Sequence, residues 1–415
     1  VFVSYAGKII TLEDDGTEKW KLDKGSAGTH SVIVDIDGDG FLEIVAGAAG
    51  KIWLLKADGT GVWSKNFIVG TNPAVADVDG DGGLEIVFAA LGTKTVVALN
   101  ADGSTQWTSP SAGQDFQMSL SIADDLNGDG KPDVVVGCRD NKVYAYSGVD
   151  GSQLWSYLTV GRVFGIAVAD MDADGIDDVV ATATKGNGLE SYVYVLNGNT
   201  GTLQWQHNIV GKRGYTTEGT PAVVDVNKDG VLDVVVGSTD MNLYVLSGTD
   251  GSEIWKFPLG NPSSSSPAIA DINGDGVMDI VIRAGSTVYA VSTSVLRVEI
   301  DIKPGSDPNS VNLKDQGLLP VAVLGSAMFD VTAIDETTLQ LGGVIITTRG
   351  KAAKTAFSIE DVNGDGYPDL VAFFRVQDLV AAGALDATTT TLTLTGSLRD
   401  GTPIAGSDSV RVVPP

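Results

Sequence analysis

The hydrophobic and polar positions of this chain recur in a fixed order. A short apolar strand leads into an acidic loop containing Gly, and a β-branched run follows; VIVDIDGDGFLEIVAG at 32–47 is the first instance. AVADVDGDGGLEIVFA at 74–89, SIADDLNGDGKPDVVVG at 121–137 and AVADMDADGIDDVVAT at 167–182 repeat it, as do AVVDVNKDGVLDVVVG at 222–237 and AIADINGDGVMDIVIR at 268–283. Between these units stands another, made of an alternating strand, a tight turn with Gly and a strand carrying Trp, as in KIWLLKADGTGVW at 51–63 and NLYVLSGTDGSEIW at 242–255. Period-2 alternation marks half-buried strands, and Gly supplies the positive φ of a tight hairpin turn.

Taking Asp35, Asp77, Asp125, Asp170, Asp225 and Asp271 as loop starts, successive repeats lie 42 to 55 residues apart, the length of a four-stranded propeller unit. With strands lettered A to D outward from the centre, each repeat runs A, acidic loop, B, short loop, C, glycine turn, D. Seven B-type and seven C-type strands are present, starting with VFVSYA at 1–6, but only six A-type and six Trp-bearing D-type strands. The expected fold is therefore all-β, a seven-bladed β-propeller over residues 1–294. Blade one lacks strand A within this chain and blade seven lacks strand D, for which 295–302 is the candidate. The Trp-turn pattern then stops. Residues 295–415, with strand-like runs at 317–325, 369–376, 389–396 and 408–413 and a short helix within 376–385, read as a β-sandwich domain.

Seven acidic loops, six in the propeller and one at 361–369, carry oxygen side chains at positions 1, 3, 5 and 9 and Gly at position 6. A hard divalent cation takes six to eight oxygens at about 2.3–2.6 Å, and alternate positions of a tightly curled loop converge on one point. With a backbone carbonyl from position 7, the ligand sets are Asp35, Asp37, Asp39, Phe41 and Glu43 in loop one, and Asp77, Asp79, Asp81, Gly83 and Glu85 in loop two. Loop three offers Asp125, Asn127, Asp129, Lys131 and Asp133; loop four Asp170, Asp172, Asp174, Ile176 and Asp178; loop five Asp225, Asn227, Asp229, Val231 and Asp233. Loop six offers Asp271, Asn273, Asp275, Val277 and Asp279, and loop seven Asp361, Asn363, Asp365, Tyr367 and Asp369. Calcium, up to seven ions, is the expected cofactor. Loop four departs from the others in carrying a further acid, Asp177, at position 8.

Composition sharpens this reading. The chain has 53 acidic against 27 basic residues, a net charge of −26, and 24 of the acids are the loop carboxylates; the remaining 29 nearly balance the bases. Turn propensity explains Asp, Asn and Gly singly, but not acid at four set positions in every loop. Such a charge repels phosphate backbones and anionic lipid surfaces, so no nucleic-acid partner is expected. No apolar run approaches the roughly 18 residues that span a bilayer. A single Cys (Cys138) and two His (His30, His207) exclude an internal disulfide framework and a Cys/His zinc cage. The chain opens on Val1, so a targeting signal is not legible, and compartment is argued from calcium chemistry: extracellular or cell surface.

The strand, DxDxDGxxD loop, strand unit resembles the FG-GAP or VCBS repeat of integrin α heads and many secreted proteins, and that resemblance implies calcium at the A–B turn. The C strand, D-G turn and Trp unit is similar to the repeat of quinoprotein dehydrogenases, which implies packing of Trp20, Trp63, Trp107, Trp155, Trp205 and Trp255 between blades. Those enzymes often set an adjacent Cys pair against their cofactor; this chain has one Cys, so no quinone is expected. VEIDIKPGSDPNSVNL at 298–313 resembles a module found at the ends of secreted bacterial proteins.

No G-x-S-x-G elbow or triad pattern occurs. The expected function is a secreted, calcium-stabilised structural or adhesive surface protein without catalysis, in one form a filament subunit joined head to tail by strand donation, with 407–415 as donor. The alternative is a lectin-like binder of extracellular polysaccharide, using the face opposite the calcium loops, where Arg162, Phe164, Lys212, Arg213 and Tyr215 gather. A polysaccharide lyase or hydrolase with its carboxylate pair among the other acids is a second alternative.

Overall fold

The computed structural model describes residues 2–5, 8–13, 15–23, 30–185, 190–209, 219–272, 274, 277–293, 296–327, 329–349, 354–399 and 402–413. Seven antiparallel meander sheets follow one another along the chain, five of four strands between two of three. Sheet one holds Phe2–Tyr5, Lys8–Leu12 and Glu18–Asp23, which are strands B, C and D. Sheet seven holds Ala268–Ala270, Asp279–Ala284 and Thr287–Ser292, which are A, B and C. The complete sheets start at His30–Val34, Ala74–Ala76, Phe116–Ala123, Arg162–Ala169 and Ala222–Val224. This is the all-β, β-propeller architecture that the repeat predicts.

Past its acidic first residue, strand B of the complete sheets is largely apolar because both of its faces are covered. Glu43–Ala48, Glu85–Ala90 and Asp133–Cys138 are buried at every residue. The hydrophobic clusters lie between consecutive sheets: Val45, Ile52 and Leu54 of sheet two meet Ile86, Phe88 and Leu99 of sheet three, and Val87 and Val96 of sheet three meet Val134 and Tyr144 of sheet four. Sheets thus stack face to face, each half of a core supplied by a neighbour.

The Trp residues fasten this stack. Five of the six D-strand indoles donate their Nε1–H to a carbonyl in the C–D turn of the next sheet: Trp20 to Ala57 and Trp63 to Ala101, both at 2.8 Å, then Trp107 to Gly148 at 2.6 Å, Trp155 to Gly198 at 2.7 Å and Trp205 to Gly248 at 2.6 Å. The ring lies against the left-handed Gly of that turn; a Cβ on Gly151, Gly201 or Gly251 would collide with Trp107, Trp155 or Trp205. The series breaks at Trp255, which is buried but has no partner for Nε1. The register explains the break. Thr293 occupies the place that Gly148, Gly198 and Gly248 hold in earlier sheets, where a Cβ would strike the carbonyl of Pro132, Asp177 or Leu232.

The remaining strands form a sandwich. A four-stranded sheet built on Leu318–Val323 and Asp369–Arg375 faces a five-stranded sheet built on Ile334–Leu341, Thr391–Leu398 and Pro403–Ser409. Val321, Val323 and Phe374 from one side and Leu339, Leu394 and Ile404 from the other share one core. The expected helix is Val376–Ala381.

Two expectations are corrected. Of the expected strand at 295–302, the described residues 296–302 do not complete sheet seven: Leu296–Arg297 runs parallel to Pro403–Ser409, and Ile300–Ile302 pairs with Leu318–Val323, because Val298, Ile300 and Ile302 are drawn into the sandwich core. Nor is the tail a free strand. Pro403–Ser409 pairs with Thr391–Leu398 and Arg411–Val413 with Ser310–Asn312, and Val410 is buried between them, so 407–413 is engaged within its own chain; 414–415 lie outside the described residues.

The Trp pattern yields a paired test. Trp155→Phe and Trp255→Phe remove similar ring area, but only the first leaves a buried carbonyl without its donor. Chemical denaturation should show Trp155→Phe costing about 1–3 kcal/mol more than Trp255→Phe; equal costs would mean that the indole bonds do not join the sheets.

Candidate metal centres

Each acidic loop closes an A–B hairpin, between Val34 and Glu43, Ala76 and Glu85, Ala169 and Asp178, Val224 and Asp233 or Ala270 and Asp279. Loop seven sits in the same way between Glu360 and Asp369 of the sandwich. Loop three is one residue longer, between Ala123 and Asp133.

Short bonds curl the loop. Position 1 accepts the position-6 N–H, as Gly40 to Asp35 at 2.9 Å, Gly82 to Asp77 at 3.0 Å and Gly230 to Asp225 at 3.0 Å. Position 3 accepts from position 5, and position 5 from position 7: Asp174 donates to Asp172 at 3.2 Å and Ile176 to Asp174 at 2.9 Å. In this way backbone holds one oxygen at positions 3 and 5; in loops two and four the second oxygen of position 3 also accepts one side-chain N–H and keeps a lone pair for a ligand. Positions 4 and 6 both take left-handed backbone, Gly80 and Gly82 at φ 73° and 91°, and Ala173 and Gly175 at 60° and 90°. The need for Gly, Ala or Lys at position 4 was missed from sequence, although Gly there in most loops was the visible signal.

Position 9 proves to be the buried anchor. Glu43 is 5% exposed, Glu85 2%, Asp279 4%, and Asp133, Asp178, Asp233 and Asp369 are fully buried. One carboxylate oxygen accepts the position-2 N–H, as Val78 to Glu85 at 3.1 Å and Leu126 to Asp133 at 2.9 Å. In loops three, four, five and seven the other oxygen accepts from a turn Gly: Gly148 and Gly198 at 3.1 Å, Gly248 at 3.3 Å and Gly325 at 2.8 Å. Position 2 points its own side chain into the inter-sheet core, so Ile36, Val78, Leu126, Met171 and Val226 are all buried.

The carboxylates converge in three loops. Ligand atoms of Asp35, Asp37 and Asp39 lie within 4.8 Å of one another, as do those of Asp77, Asp79 and Glu85, and of Asp170, Asp172 and Asp178. Burial, reinforced by Asp79, Asp81 and Asp77, pushes Glu85 up to about 7. Desolvation likewise lifts Asp133, Asp178 and Asp233 to about 6, with the loop acids adding to it. Asp35 Oδ1 is buried without any partner. An orphaned oxygen of Asp35 and buried position-9 carboxylates set beside further acids fit a hard cation that would supply the missing positive charge.

Loops six and seven share the pattern, with Gly274 donating to Asp271 and Gly364 to Asp361 at 2.7 Å; Asn273 and Asp275 lie outside the described residues. Asp177 is explained by loop three: its carboxylate accepts the N–H of Asp124, the extra residue there, at 2.9 Å. Three contacts were not foreseen. Lys131 reaches from loop three to the Asp79 carbonyl, Gln106 donates to Asp79, and Gln204 donates to Asp172 at 2.8 Å. Of the ligand-face residues, Arg162 and Phe164 begin a strand A rather than a loop, and Lys212, Arg213 and Tyr215 lie outside the described residues.

Residues 5–159 and 131–341 match the family model described as outer membrane protein assembly factor BamB. The chain belongs to this BamB-type family of propeller repeats. Among curated relatives, integrin alpha pat-2 of Caenorhabditis elegans is 36% identical over 78 residues, 18% of this chain, and the match spans 6% of that protein's length. Among solved structures, BamB from Moraxella catarrhalis is 17% identical with a TM-score of 0.43, covering 83% of this chain and 98% of its own. Saccharomyces cerevisiae Sqt1 is 12% identical with a TM-score of 0.54 over 78% of this chain and 89% of its own. The likeness to Sqt1 bears on fold alone. No described helix is long and apolar enough to cross a membrane.

The raised carboxylates set a pH dependence. Their folded pKa values, about 6 to about 7, exceed the unfolded values near 3.8 and 4.5, so the folded chain binds more protons in between. In chelator, melting temperature should therefore rise as pH falls from about 7.5 to about 5. A fall over that range would contradict desolvation of position 9.

Proposed function

We propose that this propeller protein is stabilised by calcium and works outside the cell as a structural or adhesive surface component rather than as an enzyme. One observation carries the reading: in loops two and four, carboxylates at positions 1, 3 and 9 converge around a buried acid, and no ion pair among the described residues reaches them. A divalent cation held by Asp77, Asp79, Asp81 and Glu85, and by Asp170, Asp172, Asp174 and Asp178, would neutralise that charge and lock the hairpin. Calcium sites of extracellular modules bind at about 10⁻⁴–10⁻³ M, which suits them to compartments rich in the ion. The short match to an integrin alpha chain supports the same reading.

Self-association is the favoured route to assembly. Ile272, at position 2 of loop six, is 55% exposed and Val288 66%, whereas position 2 of the preceding loops is buried by the next sheet. The outer face of sheet seven thus offers the apolar surface that each earlier sheet covers, and a second copy stacking on it would extend the array head to tail. Polysaccharide binding near Arg162 is the competing reading, recognised by saturable retention on a glycan column.

Each saturated site should add about 2–3 kcal/mol at about a hundredfold excess of calcium over its dissociation constant. Calorimetric melting should rise steeply with calcium and collapse in EDTA; a melting temperature indifferent to EDTA would end the calcium reading. Replacing Ile272 and Val288 with Asp should abolish concentration-dependent assembly seen by light scattering, and undiminished assembly would remove sheet seven as the contact.

A further inference from the structure

We infer that Gln106 and Gln204 are positioning residues for the cation sites of loops two and four, each holding the second oxygen of the position-3 carboxylate, which the loop's own backbone bond leaves unheld. This rests on the calcium reading above.

Loop three shows what a self-sufficient loop does. Its position 3 is Asn127, whose Nδ2 donates to Asp133 at 3.1 Å, so an amide separates positions 3 and 9. Loops two and four have Asp79 and Asp172 there instead, and these face Glu85 and Asp178 within 4.8 Å. Two carboxylates at that separation repel, and more strongly beside buried strands than in water.

The missing amide comes from strand D of the same sheet. Gln106 Nε2 donates to Asp79 Oδ2, and Gln204 Nε2 donates to Asp172 Oδ2 at 2.8 Å. Each Gln immediately precedes a docking Trp, Trp107 or Trp205, whose indole bond to the next sheet fixes the strand. Sheets two, four and six carry Val62, Leu154 and Ile254 at this place, which have no amide to give. Of the three loops with a carboxylate at position 3, the two served by a Gln are those whose acids at positions 1, 3 and 9 lie within 4.8 Å of one another. In loop one, whose sheet has Val62 at the Gln place, the acids within 4.8 Å of one another are Asp35, Asp37 and Asp39. Gln106 Oε1 is buried without a donor, so the N–H on Asp79 is the one contact this amide is held to make.

The consequence is two pre-assembled sites, tighter than the rest. Calorimetric titration of the full chain with calcium should show Gln106→Leu and Gln204→Leu each weakening one site about tenfold, the scale of losing a partner that orients a metal ligand. A second measurement separates positioning from packing. In chelator, Gln106→Leu should lower the melting temperature, and adding Asp79→Asn, which gives the loop its own amide, should restore most of the loss; Asp172→Asn should do the same for Gln204→Leu. Gln106→Asn, too short to reach, serves as a milder variant with the same expected direction. Uptake of calcium by the wild type with unchanged affinity in both Leu variants, or no recovery with Asp79→Asn, overturns the positioning role alone. A wild-type chain that takes up no calcium overturns the calcium reading as well.

Discussion

A carboxylate buried at the first residue of strand B is the constraint around which each repeat is organised. It ties three pieces together: the position-2 N–H of the acidic loop, the start of a strand covered on both faces and, in four of the loops, the N–H of a turn Gly. Hydrogen bonds to a carboxylate are strong, yet desolvation is large enough to lift Glu85 to about 7 despite them. The rest of the loop follows from that tension. Its remaining acids are curled by left-handed backbone at positions 4 and 6, and they surround the anchor with further negative charge. Folding such a loop without a counter-ion is costly, and folding it with one turns the same charge into a source of rigidity.

Sheet-to-sheet cohesion rests on a different pairing, an indole against a glycine turn. The turn Gly that bonds the buried carboxylate in sheets four to six also offers the carbonyl to which the previous sheet's Trp donates, so metal loop and sheet stack share a residue. Gly148, Gly198 and Gly248 have no room for a Cβ. Thr293 shows the result of placing one there: Trp255 loses its acceptor, and the chain leaves the repeat for the sandwich. Gly325 and Asp369 repeat the same clamp inside the sandwich, which marks it as a property of the hairpin and not of the propeller.

Much of this was legible in the sequence because the repeat is strict. Loop positions, strand order, the first sheet's lack of a strand A and the Trp docking all follow from spacing and from what Gly, Trp and paired acids can do. The misses share a cause. That 403–413 pairs within the sandwich, and that Leu296–Arg297 joins it, depends on parallel long-range pairings that leave no local signature. Asp177 looked anomalous until the additional Asp124 of the preceding loop was seen beside it. Gln106 and Gln204 carry no motif, because an amide on a neighbouring strand reads like any other surface residue until the fold brings it to Asp79 and Asp172.

The central claim, that converging carboxylates make these loops cation sites on which the fold depends, is tested most directly by counting ions. Native mass spectrometry of the full chain exchanged into calcium should show successive additions up to the number of acidic loops, seven, with the last ions to leave on chelation belonging to loops two and four. A chain that stays folded and carries no bound calcium at any concentration up to the millimolar range would contradict it.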